Sequence, residues 1–313
     1  MIDDSETQSH LPVLLPAVLE WLAVPPGGAI IDGTLGAGGH AAALLEAAGP
    51  AGRLLGIDQD RVALDLAARR LAVFGDRVAL VHGRFDQMAA LAAAHGFSAV
   101  DAILLDIGVS SMHLDNAERG FSFRLDGPLD MRMNRESDGP TAADIVNQYS
   151  EAELADVIWR YGEDRLARQI ARAIVRARPF SRTGELAEVI AAVYPRQRKE
   201  KIHPATRTFQ ALRIVVNDEL GALERVLPQA VSLLKPGGRF GVITFHSLED
   251  RLVKHYFKQA SQDCICPPEQ PVCTCDHRAI VRLVTRKPVV ADDAEVARNP
   301  RSRSAKLRVV EKL

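Results

Sequence analysis

Three aspartates, each closing a run of apolar residues, are the first candidates for chemistry. They are Asp32 after Ile30-Ile31, Asp58 after Leu54-Leu55-Gly56-Ile57, and Asp106 after Ala102-Ile103-Leu104-Leu105. Between the first two lies Gly33-Thr34-Leu35-Gly36-Ala37-Gly38-Gly39-His40. Glycines let a chain turn tightly and bring backbone N–H groups close to a ligand, and a helix that follows begins with unpaired donors. A carboxylate about 20 residues beyond such a turn accepts hydrogen bonds from ribose hydroxyls. The pattern is the floor of a nucleotide or nucleoside cofactor site, with Asp58 on the ribose. Two cofactors fit it. A dinucleotide would set its pyrophosphate against the helix N-terminus, and Gly36 to Ala41 satisfies a loose G-x-G-x-x-A spacing. S-adenosylmethionine carries no phosphate, and its amino-acid tail would offer an ammonium to Asp32, directly or through water.

Other strand ends add to the list. Phe85, in Gly83-Arg-Phe-Asp86, can stack on adenine, and Asp106 opens Asp106-Ile-Gly-Val-Ser-Ser111, where a glycine and two hydroxyls leave room for a substrate. An isolated Asp in such a place also serves as a helix or turn cap. His246, in Phe245-His246-Ser247, has the same two uses, a hydrogen-bonded structural residue or a base. All four cysteines fall in Cys264-Ile-Cys266-Pro-Pro-Glu-Gln-Pro-Val-Cys273-Thr-Cys275. Their clustering invites a zinc site with four thiolates, but C-x-C is tighter than the usual C-x-x-C knuckle, and no metal is assigned among the site residues.

These residues need a frame to position them. Short apolar runs at Ala29–Thr34, Leu54–Asp58, Val78–His82 and Ala102–Asp106 alternate with helical patterns near His40–Ala48, Arg61–Val73 and Gln87–His95. Nearly unbroken apolar strands separated by helices predict a parallel sheet covered on both faces. The pattern resumes with a helix over Phe209–Leu234 stopped by Lys235-Pro-Gly-Gly238, a strand at Arg239–Phe245, and β-prone runs at Ile280–Thr285 and Lys306–Val310. Between Met112 and Thr206 only a Gly, Met and Arg-rich loop and helical periodicity appear, which predicts a helical lobe inserted after the fourth strand. The expected division is 1–111 and 207–313 as two parts of one α/β domain, with 112–206 inserted.

Hydrophobic residues make up 47% and charged residues 25% of 313, an ordinary soluble balance with room for two lobes. No apolar run reaches a membrane span, and the acidic Met-Ile-Asp-Asp-Ser-Glu start is unlike a secretory signal, so the expected location is the cytoplasm, away from membranes. The net charge of −1 hides an asymmetry: from Arg160 to Arg213 thirteen cations face five carboxylates. Such a patch can neutralise phosphates, or can be the solvated faces of helices.

From end to end the chain resembles the ribosomal RNA small subunit methyltransferase H family. The segments that carry the resemblance are His10-Leu-Pro-Val-Leu-Leu15, Asp32 to His40, Leu104 to Ser111, Glu118-Arg-Gly-Phe-Ser-Phe123, Asp126-Gly-Pro-Leu-Asp-Met-Arg-Met133, His203 to Arg213, Phe245-His-Ser-Leu-Glu-Asp-Arg251 and Asn299 to Lys306. The resemblance implies a class I S-adenosylmethionine-dependent methyltransferase: Rossmann-like, doubly wound, mostly parallel α/β, with 112–206 as an inserted α-helical substrate-recognition domain. It implies methyl transfer to N4 of a decoding-centre cytidine in 16S rRNA, on small ribosomal subunit particles. It places the cofactor on Gly38, Gly39, His40, Asp58, Phe85 and Asp106, and on His113 where many members carry Gln. Asp106 is the expected catalytic acceptor of the amine's N–H, with His246 second. Related amino-methyltransferases follow this position with two prolines, where the present chain has Ile107-Gly108. His203, Arg207 and Arg213 are expected RNA contacts, together with His246, and Asp126–Met133 is a lid, a base-pocket loop or a packed linker. The cysteines are dispensable for catalysis in this scheme. Two rivals share the cofactor pocket: a ribosome-assembly factor that transfers nothing, and a nicotinamide-dependent oxidoreductase, which would leave the basic insert unexplained.

Overall fold

The computed structural model describes residues 11–195, 203–267, 269–270 and 272–313, so His10 and the basic residues Arg196, Arg198, Lys199 and Lys201 lie outside it. Seven strands form one sheet: β1 Ala29–Asp32, β2 Arg53–Asp58, β3 Val78–His82, β4 Val100–Asp106, β5 Leu234–Thr244, β6 Val281–Leu283 and β7 Lys306–Lys312. Their order is β3-β2-β1-β4-β5-β7-β6. The first five are parallel, and β7 runs antiparallel to both of its neighbours.

The unbroken apolar strands divide their side chains between two cores by the two-residue period of the pleat. Ile31, Leu55, Ile57, Ile103, Leu105, Phe240 and Val242 enter one buried cluster, with helix residues such as Met88, Val226 and Phe257. Ile30, Leu54, Ala102, Leu104, Ile243, Leu307 and Val309 enter the other, against Val18, Leu44, Ala67 and Leu71. A slip of one residue would exchange the two sets in every strand, so the register is fixed by packing on both faces. The helices Gly39–Ala47, Arg61–Leu71 and Met88–Ala94 fall within two residues of the expected spans. β5 departs from expectation: its pairing with β4 begins at Leu234 opposite Val100, then skips to Arg239 opposite Ala102, so Lys235-Pro-Gly-Gly238 is an irregularity within the strand and not only a helix stop.

The chain separates into two compact units, 1–108 with 222–313, and 109–221. The second boundary therefore lies some way past the expected 206. The reason is the helix Thr206–Asn217, whose Phe209 and Leu212 are buried in the core of the 109–221 unit with Leu154, Ile158, Ile170 and Ile174. The single helix expected over Phe209–Leu234 is two, because Asp218 takes a left-handed φ of 48° between Asn217 and Glu219.

In the 109–221 unit the helices are amphipathic, and several are capped. Ser150 and Glu153 form a reciprocal capping box at the start of Glu151–Gly162, and Thr141 and Asp144 do so at the start of Ala142–Gln148. The helix Ala167–Ala177 buries Ala167, Ile170, Ala171 and Ile174 and exposes Arg168, Arg172 and Arg176, which follow one another at i, i+4.

Candidate active site

In an open α/β sheet a ligand sits beyond the carboxyl ends of the strands where the strand order reverses, here between β1 and β4. Asp32, Asp58 and Asp106 are the last residues of β1, β2 and β4. The glycine turn between β1 and the helix Gly39–Ala47 is laced to its neighbours: Gly33 N–H donates to Leu104 O at 3.0 Å and Leu35 N–H to Ile57 O at 3.0 Å. Gly38, the N-cap, adopts φ 76°, a left-handed value that costs a residue with a Cβ about 1 kcal/mol or more. A Cβ on Gly33 would lie 2.6 Å from Leu105 Cδ2, so the turn can lie this close to β4 only with glycine there.

Asp58 accepts Gly36 N–H and Asp60 N–H at 2.8 Å each, which fixes the carboxylate against the glycine turn. Asp32 is buried at 1% exposure and accepts Thr34 N–H at 3.1 Å. Burial pushes its carboxyl up to about 7, with the charges of Asp106 and Asp58 adding and His40 opposing. Asp106 is pushed up to about 7 as well, by burial and then by the charge of Glu249. Its N–H donates to Thr34 Oγ1 at 2.6 Å, and its carboxylate Oδ1 is buried with no hydrogen-bond partner among the described residues. A buried acceptor without a donor is costly, and its persistence at a strand end points to a ligand that supplies the donor.

His40 joins the two carboxylates. Its Nε2 sits 2.8 Å from Val13 O, and because a carbonyl can only accept, that nitrogen carries the proton. Nδ1 is then the lone-pair nitrogen of the neutral ring, 3.6 Å from Asp106 Oδ2. Burial holds the imidazole below its ordinary pKa, against the opposing pull of Asp32 and of the bond to Val13. Phe85, half-buried, begins a short 3-10 turn after β3 and packs on the core of this unit. Next to it Asp86 is bound by Arg225 at 2.7 Å, so the carboxylate after β3 serves the fold.

His246 lies just past β5 and caps the helix Ser247–Ala260. Its Nε2 is 2.9 Å from Glu249 Oε1, while Glu249 Oε2 accepts Phe245 N–H and His246 N–H at 2.8 and 3.2 Å. The imidazole thus sits at the helix start, yet neither of its buried ring nitrogens makes a hydrogen bond of good geometry among the described residues. Sequence reasoning missed Thr34 and Glu249. Both carry a signal: Thr34 stands two residues after Asp32, and Glu249 is three residues after the cap position, the spacing of a capping glutamate.

The remaining expected residues lie in the 109–221 unit. His113 is buried, stacked 4.8 Å from Phe121, and its Nδ1 accepts Ser110 N–H at 3.2 Å, which puts its proton on Nε2. His203 is exposed with its ring 4.5 Å from that of Phe123, and Arg207 is half-exposed with no partner among the described residues. Arg213 corrects expectation. Its guanidinium grips Glu219 through two bonds of 2.8 Å in a largely buried pair, so the fork is engaged within the fold instead of facing RNA. Asp126–Met133 is likewise not a lid. Leu129, Met131 and Met133 are buried in the core, and Asn217 donates to Met131 O and accepts Met133 N–H, both at 2.8 Å.

The sheet order, the glycine turn and the strand-end carboxylates are those of a class I methyltransferase, whose cofactor is S-adenosylmethionine. The residues present fit that cofactor: Asp58, ending β2, could accept from a ribose, Asp32 could answer an ammonium, and Asp106 Oδ1 is an acceptor in need of a donor. The chain belongs to the MraW methylase family, which it matches over residues 7–313. Among its relatives is a ribosomal RNA small subunit methyltransferase H of Geobacter sulfurreducens, 56% identical over 98% of this chain and 100% of that protein. Proteins of the same name from Symbiobacterium thermophilum and Heliobacterium modesticaldum are 56% and 53% identical, each over 97% of this chain and over 96% and 98% of their own lengths. Among the described residues no helix is long and apolar enough to cross a membrane.

Proposed function

We propose that this protein transfers the methyl group of S-adenosylmethionine to the exocyclic N4 of a decoding-centre cytidine in 16S rRNA, acting in the cytoplasm on small-subunit particles. Near-full-length identity to proteins named for small-subunit rRNA methylation supports the substrate class. The observation that carries the choice of atom is the unpartnered Asp106 Oδ1, an acceptor suited to an amine N–H. Methylation at C5 of a pyrimidine would call for a cysteine nucleophile, and every cysteine of this chain lies in 264–275.

The cofactor supplies an electrophilic methyl on a sulfonium. Gly38, Gly39 and His40 would line its turn, Asp58 would hold the ribose and Phe85 would cover the adenine, while His113 stands where many members of the family carry Gln. The N4 lone pair is delocalised into the ring, so the task is alignment more than base strength. Asp106 Oδ1 accepts the N4 N–H as the nitrogen pyramidalises, and the carboxylate stabilises the cation left after transfer. That nitrogen then loses a proton readily. An acceptor whose pKa has been raised to about 7 takes it without a strong base. In the helical unit, His203 on Phe123 offers a stacking face, and exposed Arg165, Arg168 and Arg176 with half-exposed Arg207 can grip the backbone flanking a splayed base.

The test is methyl transfer from labelled S-adenosylmethionine to small-subunit particles from cells lacking this protein, with nucleoside analysis of the product. Label in N4-methylated cytidine is expected. Label in another nucleoside would overturn the atom, and cofactor binding without transfer to any particle would return the assembly-factor alternative.

A further inference from the structure

The four cysteines converge. They lie on the segment joining the helix Ser247–Ala260 to β6, a long connection that forms no strand or helix among its described residues. Loops of this length without internal structure are uncommon unless something else fastens them. The apolar contribution is small, since Ile265 and Val272 point outward at 42% and 69% exposure. What the segment has instead is sulfur: all four Sγ atoms of Cys264, Cys266, Cys273 and Cys275 lie within 4.8 Å of one another. Cys273 Sγ is 3.6 Å from Cys275 Sγ, which is 3.8 Å from Cys264 Sγ.

We propose that these four thiolates bind one zinc ion, which fastens the loop between the helix Ser247–Ala260 and β6. A tetrahedral ion with Zn–S bonds of about 2.3 Å holds its sulfurs about 3.8 Å apart, the spacing found here. The tight C-x-C spacing that counted against a knuckle in the sequence is no obstacle, because the two pairs approach from opposite ends of the loop and each supplies two corners. A backbone donor prepares one of the thiolates. Cys266 N–H donates to Cys264 Sγ at 3.4 Å, the kind of outer bond that steadies a thiolate ligand. Four sulfurs this close share anionic character poorly without a cation among them, and a soft divalent ion relieves that crowding. The site lies apart from the strand ends that carry the methyl-transfer residues, so its role is structural.

The test uses the full-length protein purified with thiols blocked against oxidation. Metal analysis is expected to give about one zinc per chain, released in step with titration of the cysteines by a mercurial. C264S/C275S is expected to lose the zinc and to be cut by protease within 264–275, while its methyl transfer is kept. The wild-type titration does not depend on that variant folding. Four thiols reacting at once with no metal released would overturn the proposal, as would two disulfides detected by mass. Iron with visible absorption in place of zinc would also overturn it.

Discussion

The sheet unit and the helical unit treat their buried polar residues in opposite ways. At the strand ends Asp32 and Asp106 are pushed up to about 7, and Asp106 Oδ1 has no donor. In 109–221 two buried polar groups are taken up within the fold, Arg213 by Glu219 and Asn217 by Met131 and Met133, while Thr208 Oγ1 is buried with no hydrogen-bond partner among the described residues. One unit holds carboxylates in an unfavourable state that a cationic ligand and an amine would relieve. The other spends its polar side chains on its own fold and leaves cations on its outside. Polar burial alone therefore does not mark chemistry; an unmet hydrogen-bonding requirement at a strand end beside the glycine turn, as at Asp106, is the more telling sign.

The sharpest way to break that contrast is at Asp106. Asp106→Asn keeps the shape but cannot take a proton, and turnover is expected to fall by about 10²–10⁴ with a much smaller change in cofactor affinity. Asp58→Ala should do the reverse, weakening S-adenosylmethionine binding while saturated turnover is retained. Calorimetric binding and single-turnover rates on both variants check this, and equal affinity losses with unchanged turnover would reduce Asp106 to a cofactor contact.

The matching change in the helical unit is Arg213→Ala, which leaves Glu219 buried and unpaired. Its expected cost is about 3 kcal/mol or more in denaturant unfolding, with rRNA affinity lowered only through the fold. Unchanged stability with weaker RNA binding would restore Arg213 as a phosphate contact and erase the difference between the units.

A gentler probe is pH. Burial raises Asp32, the carboxylate that answers the ammonium, above the ordinary value, so below about 7 it holds a proton that a cationic cofactor must displace. Affinity for S-adenosylmethionine is expected to fall about tenfold per unit as pH drops below 7 for each proton released. Above 7 it should level off. Titrations in buffers of different ionisation enthalpy read the proton release directly, and a flat profile between pH 5.5 and 8 would show that Asp32 is not perturbed.

How far the sequence could be read differs between the units for the same reason. A parallel strand buried on both faces shows as an unbroken apolar run, and its next residue is a site residue by topology, so Asp32, Asp58 and Asp106 were legible with the sheet order still unknown. The insert offers no such rule. Arg213 and Asp126–Met133 share a composition with RNA-binding segments, and only tertiary partners far along the chain, such as Asn217 for Met131, distinguish a fastened loop from a mobile one. The break at Asp218 was hidden because helical periodicity runs on both sides of it. The cysteines were the converse: their spacing argued against a metal, and their convergence was invisible until the loop closed.

The smallest effect tests the outside of the helical unit. Arg165, Arg168 and Arg176 are exposed and have no partner among the described residues, unlike Arg160 and Arg172, which pair with Asp156 and Glu151. Removing the three unpaired arginines takes away no internal contact, so unfolding should be unchanged. If they meet phosphates, each contact releases counterions, and the slope of log affinity against log salt should fall in magnitude by about 2 for three contacts to single-stranded RNA. Saturated turnover should stay the same, because these charges hold flanking backbone and touch no reacting atom. An unchanged slope would mean that this face is merely solvated, and that the helical unit finds its RNA through Arg207 and the His203–Phe123 stack alone.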